Sequence, residues 1–301
     1  MGNDLWGRRD LLAFAGVAGL SALSGLVRAR PTLLGRPAAD SAYHKAVLAS
    51  RPAGYWRLGE RGGATAHDAS GHGRDGNYVG HPHLGQPGAI RDDQDRAIAL
   101  DGAKTKSYVA IPDSNAFSIA TSGHGLTVEV WLRPDRLDFP GERPDPDHAY
   151  IHWLGKGDKG HYEWGFRFYS RRASRPNRIS AYVWNPEGRL GAGAYIEERL
   201  VPQQWIYLVA TLDDPRQPNA RVRLYKDGAP SPHNDSPGTL YRNYAVQPKR
   251  GRAPIRLGTR DLRSFLTGGL DEVAIYPRVL PANEILRHWR AAHHKAGPRY
   301  D

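Results

Sequence analysis

From Tyr43 onward, apolar and polar positions alternate with a period of two, interrupted every few residues by clusters of Gly, Pro, Asn or Asp. In LTVEVWLR, Leu126 to Arg133, the residues Leu126, Val128, Val130 and Leu132 share one face and Thr127, Glu129, Trp131 and Arg133 the other. Successive side chains of an extended chain point to opposite sides, so this pattern predicts a half-buried strand. The same reading predicts strands at Arg96–Leu100, Ser107–Ile111, Tyr162–Phe168, Arg178–Trp184, Trp205–Leu212, Ala220–Lys226, Pro254–Gly258 and Leu270–Tyr276. Lys226-Asp227-Gly228 predicts a hairpin turn, because Asp-Gly tolerates the positive φ such turns require. One segment, Pro281–Ala292, reads as helix, with Pro281 near its start and Ile285, Leu286 and Trp289 on one side. Many short strands and one terminal helix predict an all-β protein: a two-sheet antiparallel jelly-roll β-sandwich with one short C-terminal helix.

The region before Tyr43 has a different character. Arg8 and Arg9 precede an apolar run from Leu11 to Leu26, and Val27-Arg28-Ala29 ends on a small residue, so residues 1–29 read as a signal peptide. The paired arginines resemble a twin-arginine export signal, although Gly7 stands where Ser or Thr is usual; an ordinary secretory signal or an uncleaved anchor are the alternatives. Residues 30–42 form a linker, 43–295 the β domain and 296–301 a tail. The expectation is an exported, extracellular or cell-surface protein with no transmembrane segment in its mature part. Absence of cysteine removes disulfides, thiolate metal ligands and thiol nucleophiles. The net charge of +11 is spread along the chain rather than gathered in a stripe, so no nucleic-acid partner is expected.

The order of AGYWRLGE (Ala53–Glu60), DASGHGRDG (Asp68–Gly76), AIALDG (Ala97–Gly102), LTVEVWLRP, VRLYKDG and GGLDEVAIYPRVL (Gly268–Leu280) resembles the laminin-G-like jelly-roll family within the concanavalin A-like lectin/glucanase superfamily. The resemblance implies a sandwich of two curved antiparallel sheets and a role in carbohydrate binding or adhesion. It also implies a calcium ion between the Asp-Ser-Gly loop and the Leu-Asp-Glu-Val strand. Carried over by position, Asp68 and Asp271 supply carboxylates, and carbonyls around Ser70, Gly71 and Gly76 add oxygens. His72 stands where the family usually has Asn.

The Asp68–Gly76 loop has other readings. Its GHGRDG core spells a dinucleotide fingerprint, but the Gly- and Pro-rich stretch after Gly76 starts no helix to meet a pyrophosphate. As a helix-loop-helix calcium loop it places Val79 where the bidentate Glu belongs. The remaining alternative to calcium is that Asp68 and Ser70 only cap a turn.

For catalysis, the related glucanases use acids at alternate strand positions. Glu129 is followed by Trp131 instead, and the adjacent Asp271 and Glu272 are expected on opposite faces of a strand. No catalytic residue is therefore assigned. The histidines form no ligand-spaced cluster and read mostly as surface residues. For binding, alternation directs Trp131, Arg167, Tyr169, Tyr182 and Trp184 outward, with Asn185 beside them, as rings and donors for a sugar. Trp56, Trp205 and Trp289 are expected in packing. The function expected is a calcium-stabilised module binding carbohydrate or cell-envelope polysaccharide, with the basic surface favouring an acidic polymer. The alternatives are a polysaccharide-degrading enzyme on the same fold and an adhesion protein with a protein partner.

Overall fold

The computed structural model describes residues 41–91, 93–141, 145–158, 161–185, 191–214, 216, 220–234 and 248–293. The expected signal peptide, the linker up to residue 40 and the tail lie outside the described residues. In chain order, α1 (Ala42–Ala49) leads to β1 (Gly54–Trp56), β2 (Thr65–Ala66), β3 (Gly76–Val79), β4 (His83–Pro87), β5 (Arg96–Asp101) and β6 (Tyr108–Ile111). After α2 (Ile119–Ser122) come β7 (Leu126–Pro134), β8 (Tyr150–Lys156), β9 (Trp164–Tyr169), β10 (Arg178–Trp184), β11 (Gly191–Glu197) and β12 (Ile206–Leu212). Then follow β13 (Val222–Lys226), β14 (Ala229–Pro230), β15 (Ile255–Leu257), β16 (Thr267–Tyr276) and α3 (Ala282–Ala292).

The described strands pair antiparallel into two eight-stranded sheets. The first runs β14-β13-β12-β7-β16-β5-β4, with β1 also on β16, and the second runs β11-β10-β9-β8-β15-β6-β3-β2. Each segment expected from alternation is a strand. The Asp227-Gly228 turn has φ of 51° and 81° and joins β13 to β14. Strands that alternation misses have a physical reason: every residue of β8 is buried, so no polar face marks it, and β11 opens with Gly and Ala. Between the sheets lie Val128, Val130, Leu132, Trp164, Phe166, Phe168, Ile179 and Val183 among others, on the inward faces that alternation assigns, together with Leu208 of β12 and Trp153 of β8. Among the described residues no helix is long and apolar enough to cross a membrane.

The expected C-terminal helix is α3, and among the described residues two further α-helices, α1 and α2, precede it. In α1, Ser41 Oγ accepts a hydrogen bond from His44 N at 3.1 Å, which caps the first turn, while Tyr43 and Val47, one turn apart, are fully buried. Helix α1 thus starts inside the expected linker. Both α1 and α3 lie on the outer face of the first sheet, where Tyr43, Val47, Ile285 and Ala292 pack with Tyr55, Trp131, Tyr207, Val209 and Tyr276. This roof corrects the expectation for Trp131. Its side chain does leave the inter-sheet core, but only 3% of the residue is exposed, and its ring lies 6.2 Å from Tyr43 and 5.2 Å from Tyr207. Trp56 is in the core, and Trp205 and Trp289 pack beside the roof.

Candidate functional site

On β16, the pairing with β7 slips by one residue: Asp271 faces Trp131, but Ala274 faces Glu129. The extra residue makes a β-bulge, and Glu272 adopts φ of 51°. The bulge sits where the other edge of β16 changes partner, from β5 at Thr267–Leu270 to β1 at Val273–Ile275. Alternation fails at such a kink, so Asp271 and Glu272 do not point to opposite faces as expected. Their carboxylates converge with that of Asp95, one oxygen of each lying within 4.8 Å of the others.

Arg57, just after β1, is the counter-charge. It reaches Asp93 at 2.6 Å, Asp95 at 3.2 Å and Glu272 at 2.9 Å. Glu272 also accepts from the Tyr55 hydroxyl, and Asp271 Oδ2 accepts from Ala89 N at 2.7 Å. Asp271 Oδ1 is buried without a hydrogen-bond partner. Burial, with Glu272 beside it, pushes Asp271 well above the carboxylate range. Burial likewise pushes Asp95 up to about 6 and Glu272 up to about 7, against the pull of Arg57. A set of oxygen donors holding more negative charge than one guanidinium offsets suits a hard divalent cation, and calcium accepts such a set. A cavity of about 410 Å³, lined by Arg61, Gly88, Asp93 and Asp95 among others, adjoins the group.

Of the residues expected to hold metal, Asp271 is in this group. Asp68 is placed elsewhere: Oδ1 accepts from Tyr55 N at 3.0 Å and Ser70 N at 2.9 Å, and Oδ2 from Arg74 N at 2.9 Å. These bonds are those of a turn cap. Ser70 Oγ accepts from His72 N at 3.4 Å, Gly71 is exposed with φ of 85°, and Gly76 is buried in β3 opposite Ala66. The loop and the last strand are nevertheless close, because Trp56 bridges to Asp68 and also pairs with Val273.

The outer face of the second sheet gathers the other expected site residues. Arg167 on β9 stands opposite Ser180 on β10 and His152 on β8, and its Nε donates to His152 Nε2 at 2.9 Å. The rings of Tyr150, Tyr182 and Trp184 surround the guanidinium at 4.5, 4.7 and 5.8 Å from their centres. Arg260 lies 4.5 Å from Tyr162 and 4.8 Å from Trp184. Its stem crosses Gly155 and Gly165, which face each other in register; a Cβ on either would come within 3.1 Å of the arginine. Tyr169 packs on Tyr150 at 5.1 Å, and Asn185 is half-buried at the end of β10. The structure therefore assembles Arg167, Tyr169, Tyr182, Trp184 and Asn185, and leaves out Trp131 on the other sheet. The rings are not open platforms: Tyr182 is 2% and Trp184 4% exposed. The partly exposed polar group at their centre is Arg167.

A third constellation has no trace in the sequence. Ser50 Oγ lies 2.8 Å from His288 Nε2, and His288 Nδ1 lies 3.0 Å from Glu129 Oε2. The order is that of a Ser-His-acid triad, but all three are closed to solvent, and Glu129 also accepts from Tyr43 and Tyr276 at 2.7 Å and Tyr207 at 2.8 Å. The group holds α1 and α3 onto β7. Most of the described histidines are exposed, as expected, and His288 is among the buried exceptions.

Residues 101–286 match the laminin G family model described as the concanavalin A-like lectin/glucanases superfamily. Among curated proteins, the type II methyltransferase M.SmaI of Serratia marcescens is 29% identical over 83 residues, 25% of this chain and 28% of that protein. Among solved structures, the binding domain of botulinum neurotoxin DC in complex with SialylT aligns with a TM-score of 0.57 at 11% identity, over 81% of this chain and 52% of that one. Botulinum neurotoxin type C, whose cell entry depends on two ganglioside molecules, aligns with a TM-score of 0.58 at 8% identity, over 83% and 53%. The receptor binding domain of the type G neurotoxin aligns with a TM-score of 0.51 at 12% identity, over 80% and 51%. The chain thus spans less than a third of that curated relative and about half of each neurotoxin chain. Identities this low establish likeness of fold.

Proposed function

The chain belongs to the concanavalin A-like lectin/glucanase superfamily, and on that premise we propose that it is a non-catalytic module that binds carbohydrate of the cell envelope. The observation that carries this reading is the asymmetry of the two outer faces. Helices α1 and α3 roof the first sheet, whereas the second gathers Arg167, His152 and Arg260 among Tyr150, Tyr162, Tyr182 and Trp184. Polar donors fixed by aromatic packing are what a sugar-binding surface requires. The neurotoxin domains of like fold bind receptors or gangliosides, which supports a binding role without naming this ligand.

A polysaccharide-degrading enzyme would draw its acids from the Asp95, Asp271 and Glu272 group. Asp271 and Glu272 are 2% and 1% exposed, so neither carboxylate is presented at the surface to a glycosidic bond. That group serves better as a structural calcium site, with Asp95, Asp271 and Glu272 as the residues that would hold the ion. The bound ion would neutralise buried charge and tie the bulge of β16 to the segment before β5. Export directed by residues 1–29, by the twin-arginine route, completes the reading.

Retention of soluble cell-envelope polysaccharides on the immobilised protein, with the flow-through assayed for new reducing ends and unsaturated products, tests the proposal. Retention without depolymerisation is expected. Product release favours the enzyme, and failure to retain any glycan favours an adhesion protein with a protein partner.

A further inference from the structure

The outer face of the second sheet is short of acceptors for the arginines it holds. Arg256 is matched, by Asp158 at 2.7 Å and by the carbonyl of Arg260 at 2.6 Å. Arg260 reaches Asp261 at 3.1 Å through one terminal nitrogen, but its Nε is buried with no hydrogen-bond partner. Asp261 is shared, since His152 Nδ1 lies 3.3 Å from it. Among the described residues, no carboxylate lies within ion-pair distance of Arg167. Ser180 Oγ, on the residue directly across from Arg167, is likewise buried without a hydrogen-bond partner. Two guanidiniums thus flank Trp184, and the one carboxylate paired there, Asp261, serves Arg260 and His152.

Their geometry suits a specific kind of anion. A guanidinium packed on aromatic rings has lost most of its freedom before a ligand arrives, and its free N–H edge holds a carboxylate or sulfate through paired hydrogen bonds. The aromatic rings are covered by these guanidiniums, so they orient the donors and do not act as stacking platforms. Burial also lowers the pKa of Arg260 against the pull of Asp261, which marks a cation whose charge is incompletely compensated.

We propose that this face selects acidic glycans, gripping a carboxylate or sulfate substituent of a sugar with Arg167. The inference rests on the glycan-binding reading above and adds the chemical class of the ligand and the residues that choose it. Arg167 is the specificity-determining contact, and Arg260, packed on Trp184 and 5% exposed, adds positive charge behind it without touching the ligand.

The test is calorimetry of the full chain with three soluble polymers: a polyuronate, a sulfated glucan and a neutral glucan. Because any protein of this net charge attracts polyanions, Arg290→Gln, on α3 over the opposite sheet, serves as a control for loss of one charge. The expected result is binding of an acidic polymer at least tenfold tighter than the neutral one, with the polyuronate and sulfate arms identifying the substituent. Arg167→Gln should weaken it about tenfold to a hundredfold, the worth of one lost charge-assisted contact, while R290Q changes it less than twofold. Arg167→Lys should fall between, since a lysine keeps the charge but not the paired grip. If R167Q fails to fold, competition of free glucuronate or glucose sulfate, against glucose, for the wild-type protein decides the matter. Equal binding of neutral and acidic polymers, or equal losses in R167Q and R290Q, overturns the inference while leaving glycan binding intact. Binding of no polymer overturns both.

Discussion

Glu129, on the central strand β7, and His288, on the last helix, meet with carboxylate Oε2 and ring Nδ1 3.0 Å apart and neither residue exposed. Three tyrosine hydroxyls complete the acceptor capacity of that carboxylate, and Ser50 occupies the far ring nitrogen. A buried pair of this kind is costly to break from one side, because the surviving charge is left without a partner. Glu129→Ala and His288→Ala are therefore each expected to destabilise the fold by about 3–5 kcal/mol, read from urea denaturation. A loss below about 1 kcal/mol in both variants would show that the two helices are held by apolar packing alone.

The same pair sets a pH window. Burial opposes both charges, yet His288 and the tyrosine hydroxyls hold Glu129 below its ordinary 4.5, and Glu129 holds His288 above its ordinary 6.5. A lowered carboxyl stabilises above 4.5 and loses that contribution as pH falls through its folded value. A raised histidine stabilises below 6.5 and loses its share as pH rises through its folded value. The contribution of the pair is thus greatest between about pH 4.5 and 6.5. Urea midpoints of the wild type minus those of His288→Gln, measured from pH 4 to 9, should peak in that window. A flat difference would show that the pair does not titrate in the folded protein.

Calcium at a free concentration a hundredfold above its dissociation constant should stabilise the protein by about 2.7 kcal/mol relative to chelator, seen as a rise in Tm. Asp271→Asn should abolish the rise, whereas Asp68→Asn should keep it and lose only turn stability. Protons compete for the same raised carboxylates, so the rise should be larger at pH 8 than at pH 5.5. No calcium response in the wild type would remove the ion; a response lost in D68N and kept in D271N would return it to the Asp-Ser-Gly loop.

Trp131→Ala distinguishes packing from ligand contact. Removing a buried indole from under α1 and α3 should cost about 3–5 kcal/mol. Glycan affinity measured well below the new Tm should be unchanged, because the side chain lies on the opposite sheet from Arg167. An affinity loss with unaltered stability would place the binding surface under the helices.

Alternation made the two sheets legible because one face of each central strand is apolar, and a period of two is a local property of the chain. Phe166, Phe168, Ile179 and Val183 enter the core and Arg167, Tyr182 and Trp184 leave it, as their order along β9 and β10 requires. What the period could not convey is what lies over the outward face. Trp131 and Trp184 have the same local pattern, yet one is roofed by two helices and the other by arginines, and long-range packing alone decides between them.

The sequence by itself determined the strand faces, the Asp-Gly hairpin and the last helix, which rest on neighbours within a few residues, and the family resemblance, which rests on the order of short motifs along the chain. Tertiary structure decided the chemistry. A single extra residue in β16 turned Asp271 and Glu272 toward Asp95, and docking of α1 and α3 brought Ser50 and His288 to Glu129. Strand periodicity fixes direction only where the ladder is regular, and groups more than a hundred residues apart acquire their partners only when the sheets close.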